Sequence, residues 1–231
     1  MRFTAAYDRR VLTQALAPTL RDLFQRAART EAPVRIDAQQ AIYASGDDDD
    51  AMYFIESGQV KLSMTSAEGK DCLLAIYTAG EAFGESCFGA MRRFENATAM
   101  QPTIVHRATR RELMSEAERI RGTEALLRHV STRLAERQTA VFDLVTMASE
   151  RRLAKVLLSF ADKIGKVEGP FVLLERISHE ELSQMVGTTR PRVTAFMQRF
   201  RILGLIETAG RSIRVDREKT RKFLEDEHGA G

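Results

Sequence analysis

The sequence predicts an α+β chain in three successive parts: an antiparallel β-barrel with a leading helix (1–109), one long helix (110–148) and a winged helix-turn-helix (149–231). Three observations predict it. Apolar–polar alternation is broken by turn residues about every ten positions, a heptad repeat follows, and two short capped helices are separated by a glycine.

The leading helix rests on Leu12, Leu16, Leu20, Leu23 and Phe24, spaced to one face within residues 9–30. Strand texture then runs from about 34 to 108. Met52–Ile55, Val60–Met64 and Leu73–Tyr77 are parted by turn signals at Ser45-Gly46-Asp47, Ser57-Gly58, Glu68-Gly69-Lys70 and Ala79-Gly80-Glu81. That spacing points to an antiparallel sandwich or barrel. Residues 110–147 read as helix almost throughout. Leu127, Leu134, Val141 and Ala148 recur every seven positions, with Val130, Arg137 and Leu144 three residues behind the first three. This is an a/d seam long enough to pair two chains, which predicts a homodimer through Leu127, Val130, Leu134, Arg137, Val141 and Leu144.

The last part carries the most information. Ser178 and Glu181 form a capping box, Gly187 ends that helix, and Thr188 or Thr189 caps the next, with Pro191 in its first turn. Val193, Phe196, Met197 and Phe200 fall at i, i+3, i+4 and i+7, making a packed back. The front shows Thr189, Arg190, Pro191, Arg192, Thr194, Ala195, Gln198 and Arg199, rich in arginine with little bulk to block a DNA groove. Leu205–Val215 reads as a hairpin wing with Arg211 at its tip, suited to a phosphate. Charge agrees with this. Residues 149–231 hold 16 Lys and Arg against 12 Asp and Glu, and within 186–214 six arginines face the single acid Glu207. Such a local excess suits a polyanion.

Other functions find no support. The 231 residues are 44% hydrophobic and 29% charged, as in ordinary folded domains. No stretch approaches the ~20 apolar residues of a membrane span. The opening residues lack the apolar run of a signal peptide, so a cytoplasmic location is expected. Cys72 and Cys87 form no CxxC pair and are expected to be buried, reduced thiols. The four histidines have no metal-ligand spacing, and Asp47–Asp50 lacks the Gly and Glu of a calcium loop, which leaves a solvated acidic loop or a protein contact. No P-loop, nucleophile elbow or paired-acid signature is present. Neither an enzyme, a metal nor a cofactor is expected.

Gly46, Gly58-Gln59-Val60, Glu68-Gly69-Lys70, Gly80-Glu81, Phe83-Gly84-Glu85 and the segment Ile177–Ile206 together resemble the Crp/Fnr family of transcription regulators over nearly the whole chain. The resemblance implies a cyclic-nucleotide-binding-like jelly roll for the sensor. It also implies a homodimer on an imperfect palindrome of double-stranded DNA, RNA polymerase as a further partner and a small effector of unknown identity. It places a ligand site at Gly84, Glu85, Asn96, Ala97, Arg137 and Gln138.

Departures from the family pattern matter here. Asn96 and Ala97 match the arginine and hydroxyl residue that hold a cyclic phosphate in nucleotide-binding members, and Arg137 and Gln138 match the pair that contacts adenine. Arg190 matches a base-reading arginine, while Pro191 and Ala195 replace its helpers. The resemblance therefore implies a regulator that lacks the cyclic-phosphate arginine. The alternative is a cyclic-nucleotide-responsive regulator with an altered pocket. A cyclic-nucleotide regulatory subunit is separated from both by the basic winged helix. Arg137, at a seam position that favours leucine, either snorkels and sets helix register or pairs with an anionic effector or a sensor acid.

Overall fold

The computed structural model describes residues 20–28, 32–89, 92–174, 177–209 and 212–226. The chain divides into two compact units, one drawn from Met1–Met64 and Leu74–Glu136, the other from Thr65–Leu73 and Arg137–Gly231.

Two antiparallel sheets form within the first unit, apart from the Thr65–Leu73 end of one hairpin. One orders β1 (Val34–Ile36), β8 (Thr103–Thr109), β3 (Ala51–Ser57) and β6 (Ala82–Phe83); the other orders β2 (Ala41–Tyr43), β7 (Asn96–Ala99), β4 (Gln59–Thr65) and β5 (Asp71–Thr78). The jelly roll that the sequence leads one to expect is present, although its strands do not close into one barrel. These are two separate four-stranded sheets, a jelly-roll arrangement in which side chains rather than a closing strand pair join the layers.

β3 shows how. All of Ala51–Ile55 is buried, and successive side chains of a strand point to opposite faces. Ala51, Tyr53 and Ile55 enter an inner core with Tyr43, Val60, Leu62, Tyr77, Phe83 and Val105. Met52 and Phe54 enter an outer core with Leu20, Leu23, Phe24, Cys87, Ala108, Leu113, Ala117 and Leu126. The outer core is where helix α1 (residues 20–27) covers the sheet. Leu12 and Leu16 lie outside the described residues. Two-sided burial explains why this strand reads as a continuous apolar run rather than an alternation.

The long helix is two helices. α2 (Arg110–Ile120) starts on a capping box between Thr109 and Glu112 and ends where Arg121 takes a left-handed conformation at φ 57. The Gly122 N–H then returns to the Ala117 carbonyl at 2.6 Å, and α3 (Thr123–Thr146) begins. A left-handed residue followed by such a return bond is a helix stop. Cys72 also departs from expectation. Cys87 is buried, with its thiol pushed up to about 12 by burial, whereas Cys72 is exposed beside exposed Asp71 at the start of β5.

The acidic loop is not merely solvated. Arg93, 2% exposed, donates to Asp49, to the carbonyls of Ala51 and Gly84, and to Ser86 Oγ, and lies over the Tyr43 ring at 4.2 Å. Burial alone would raise the Asp49 carboxyl, but bonds from Arg93 and Tyr53 hold it below the usual carboxylate range.

The second unit packs α4 (Ser149–Lys163), α5 (His179–Val186), α6 (Arg190–Ile202) and α7 (Arg217–Glu225) with one sheet ordered β11 (Ile206–Ala209), β12 (Ser212–Asp216), β10 (Phe171–Leu174), β9 (Lys166–Glu168). The expected wing hairpin is β11–β12, and β9, β10 and α7 extend the unit beyond what the sequence indicated. Arg152 of α4 donates to the carbonyls of Leu144, Met147 and Val186. It thereby satisfies carbonyls that the ends of α3 and α5 leave open.

Arg93→Ala would leave the Asp49 carboxylate, 11% exposed, without its buried partner. Stability of the first unit should fall by about 3–5 kcal/mol, measured as a lower denaturant midpoint at unchanged m-value. A loss below about 1 kcal/mol would mean that the cluster does not hold the unit together.

Candidate DNA interface and sensor site

The helix-turn-helix forms as its capping residues dictate. Ser178 accepts from the Glu181 N–H and Glu181 answers the Ser178 N–H at 3.0 Å, closing the capping box of α5. Gly187 ends that helix at φ +67, a conformation few other residues adopt cheaply. α6 starts after Thr189 with Pro191 in its first turn, although Thr189 makes no side-chain cap bond. Val193, Met197 and Phe200 are buried and Phe196 is half-buried beneath Arg192, whose guanidinium lies 5.9 Å from the ring.

Thr189, Arg190, Pro191, Arg192, Ala195, Gln198 and Arg199 are exposed. Thr194 is half-buried; its hydroxyl bonds the Arg190 carbonyl and meets His179 Nδ1 at 3.0 Å. Arg199 is paired with Glu150 of α4 at 3.0 Å. Arg214, on the wing, pairs with Glu168 at 3.2 Å. Arg211 lies outside the described residues. The face thus presents Arg190, Arg192 and Gln198 outward from a rigid back, as major-groove reading requires.

In the first unit, Tyr53 and Tyr77 stack on Phe83 with centroids 5.3 and 6.1 Å away, and Tyr43 lies tilted at 6.2 Å. Gly84 is buried at φ +90; a Cβ there would stand 3.1 Å from the Ala51 carbonyl and 3.3 Å from the Arg93 guanidinium. Glu85 is half-buried and opens the 3-10 turn Glu85–Phe88. Asn96 accepts from the Ser45 N–H at 2.9 Å, and Ala97 is fully buried in the inner core.

Sequence reasoning missed Glu95. Its Oε1 accepts from the Tyr43 hydroxyl and from Ser86 Oγ, each at 3.1 Å. Burial and the Glu95 charge push the Tyr43 phenol well above its usual range. An acid in a turn carries no local mark that it will be buried.

α3 buries Leu126, His129 and Arg133 and exposes the neighbouring stripe. Leu127 is 64%, Leu134 59% and Val141 61% exposed, and Val130 and Leu144 are exposed too. Arg137 is half-buried and Gln138 exposed. Arg133, one turn before Arg137, sits among acids of the first unit. It lies over the Tyr77 ring at 4.4 Å and reaches Glu136 at 2.9 Å, Glu81 at 3.5 Å and the Ala82 carbonyl. Burial works against its charge, but Tyr77, Glu136, Glu81 and Glu85 hold the guanidinium protonated.

A chain with this helix-turn-helix, its basic front and a jelly-roll unit ahead of it is a DNA-binding transcription regulator. Residues 33–119 match the cyclic nucleotide-binding domain family and residues 151–222 the Crp-like helix-turn-helix domain family. A CRP-like cAMP-activated global transcriptional regulator of Mycobacterium tuberculosis is 31% identical over 184 residues, covering 78% of this chain and 82% of the relative. Among solved structures, a CRP/FNR-family regulator from Thermus thermophilus superposes with TM-score 0.71 at 24% identity, covering 84% of this chain and 99% of that one. The c-di-GMP responsive global regulator CLP of Xanthomonas campestris reaches 0.73 at 17%, covering 84% and 98%. The chain belongs to the Crp/Fnr family of transcription regulators. Among the described residues, no helix is long and apolar enough to cross a membrane and no His, Cys, Asp and Glu cluster could hold a metal.

Burial, then Arg133, push the His129 imidazole down to about 3, and Glu136 only partly opposes them. A base depressed in the folded state takes its proton more readily unfolded, so folding stability falls as pH drops below the ordinary value of about 6.5. The decline should be roughly 1 kcal/mol per pH unit between about 6 and 4. In His129→Gln, chemical denaturation across that range should show a shallower slope; an unchanged slope would mean that His129 does not control it.

Proposed function

We propose that this chain acts in the cytoplasm as a homodimer, setting two copies of α6 in successive major grooves of an imperfect palindrome. We further propose that its sensor lacks a cyclic-phosphate arginine and responds to a ligand other than cyclic AMP. The observation that carries the DNA reading is the division of α6 into a packed back and an exposed front headed by Arg190 and Arg192. Arg199 serves as a phosphate contact by exchanging Glu150 for DNA, which blunts its net gain. Thr189, Pro191, Thr194 and Gln198 complete the reading face, and Arg211 adds a wing contact. RNA polymerase is the partner through which such a regulator acts.

The dimer reading is supported by the exposed stripe at Leu127, Val130, Leu134, Val141 and Leu144, since contiguous exposed apolar surface marks an interface. Arg137 falls on that stripe as a register-setting polar residue. The sensor reading is supported by Asn96 and Ala97, which offer no cation, and by Arg93, whose donors already serve Asp49, Ala51, Gly84 and Ser86. The name of the M. tuberculosis relative favours a second reading, in which Gly84, Glu85, Arg137 and Gln138 still serve a cyclic nucleotide.

Two half-sites should lie about 34–36 Å apart. Arg190→Ala should cost roughly 1–3 kcal/mol of discrimination between operator and unrelated DNA, measured by mobility shift with genomic fragments and then a defined operator. Full affinity and selectivity in that variant would overturn the register. Leu134→Asp places a carboxylate where an apolar partner is expected, an arrangement strongly disfavoured when unpaired. Sedimentation should then find monomers with little operator affinity, and a persistent tight dimer would place the contact elsewhere.

A further inference from the structure

Among the described residues, one buried carboxylate of the first unit pairs directly with no cation. Glu95 is 4% exposed and precedes β7, and its Oε1 takes both donors, Tyr43 and Ser86. Its Oε2 is closed to solvent and has no hydrogen-bond partner among the described residues. The arginine of this cluster, Arg93, reaches Glu95 only through Ser86 Oγ, because its remaining donors serve Asp49, Gly84 and Ala51. The carboxylate therefore bridges the Glu85–Phe88 turn and β7. These are the two segments that carry Gly84-Glu85 and Asn96-Ala97, where a cyclic nucleotide would have to be held.

We propose that Glu95 sets the charge of the ligand this sensor accepts, excluding cyclic phosphates and other anions and favouring a neutral or cationic ligand that brings a hydrogen-bond donor. This rests on the reading above that the sensor does not use cyclic AMP. A buried ion is tolerable only while donors meet it. One more donor at Oε2 improves that balance, and a second anion nearby worsens it. Two like charges about 6 Å apart at an effective dielectric near 20 repel enough to weaken binding roughly 100-fold. Glu95 acts here as a specificity-determining residue. Asn96 and Ala97 merely fail to attract a phosphate, whereas Glu95 repels it.

Calorimetry on the full-length protein with cyclic AMP and with adenosine, its neutral counterpart without the phosphate, tests this. The wild type should take cyclic AMP no better than millimolar. Glu95→Gln and Glu95→Met should each tighten cyclic AMP about 10- to 100-fold and change adenosine by less than about threefold. Folded variants that stay as blind to cyclic AMP as the wild type, or gain equally for adenosine, would overturn the role of Glu95 and leave the cyclic-AMP-independent reading standing. Low-micromolar cyclic AMP binding by the wild type would remove both. Should neither variant fold, the wild type alone decides. It should prefer benzamidine over benzoate, a planar pair of similar size and opposite charge, by at least about tenfold. Equal or reversed preference, or binding of neither, defeats the proposal.

Discussion

The guanidinium of Arg93 is the point on which the sensor unit depends. It sits just ahead of β7 in one sheet and grips Asp49 and the Ala51 carbonyl at the start of β3 in the other. It also holds the Gly84 carbonyl and Ser86, which fix the turn at the candidate site, and covers the Tyr43 ring in the core between the sheets. A planar cation with five donors can serve several acceptors at fixed angles; a lysine ammonium could not. Around it, burial and the Asp49 charge push the Tyr53 phenol up to about 12, so the phenol stays neutral and donates.

That commitment has a functional consequence. A buried arginine whose donors are all engaged is a structural ion, not a ligand-binding one. The unit keeps the jelly-roll frame and Glu85, and two further buried charged side chains are Glu95, bonded to Tyr43 and Ser86, and Arg133 beside Glu81 and Tyr77. Arg133 matters because it belongs to α3, the helix that also carries the exposed apolar stripe. Glu81 and Tyr77 meet α3 through Arg133, the residue before Leu134 of the proposed seam.

In the second unit the constraints are backbone ones. Gly187 allows the sharp turn, and Arg152 ties the carbonyl before it, at Val186, to the carbonyls of Leu144 and Met147 at the end of α3. The position of α6 is thus defined from behind by its buried row and from its start by this turn. The front of α6 is left free for chemistry.

Periodicity and caps were enough to delineate the β-rich part, the helical stretch and the helix-turn-helix, because local spacing decides which side chains share a face. The capping box at Ser178 and the stop at Gly187 are written in consecutive residues. The heptad stripe was equally legible, and it proves to be the exposed face of α3. What the sequence could not convey depends on contacts between distant segments. The break at Arg121–Gly122 hid inside a helical pattern, since a single left-handed residue suffices to stop a helix. Asp49 as the partner of Arg93, Arg199 paired to Glu150, and Cys72 left exposed are all outcomes of packing. Glu95 is the clearest case. In sequence it is one acid among 32 Asp and Glu. Only the meeting of β2, the Glu85–Phe88 turn and β7 buries its carboxylate, because burial is a property of what surrounds a residue and not of the residue itself.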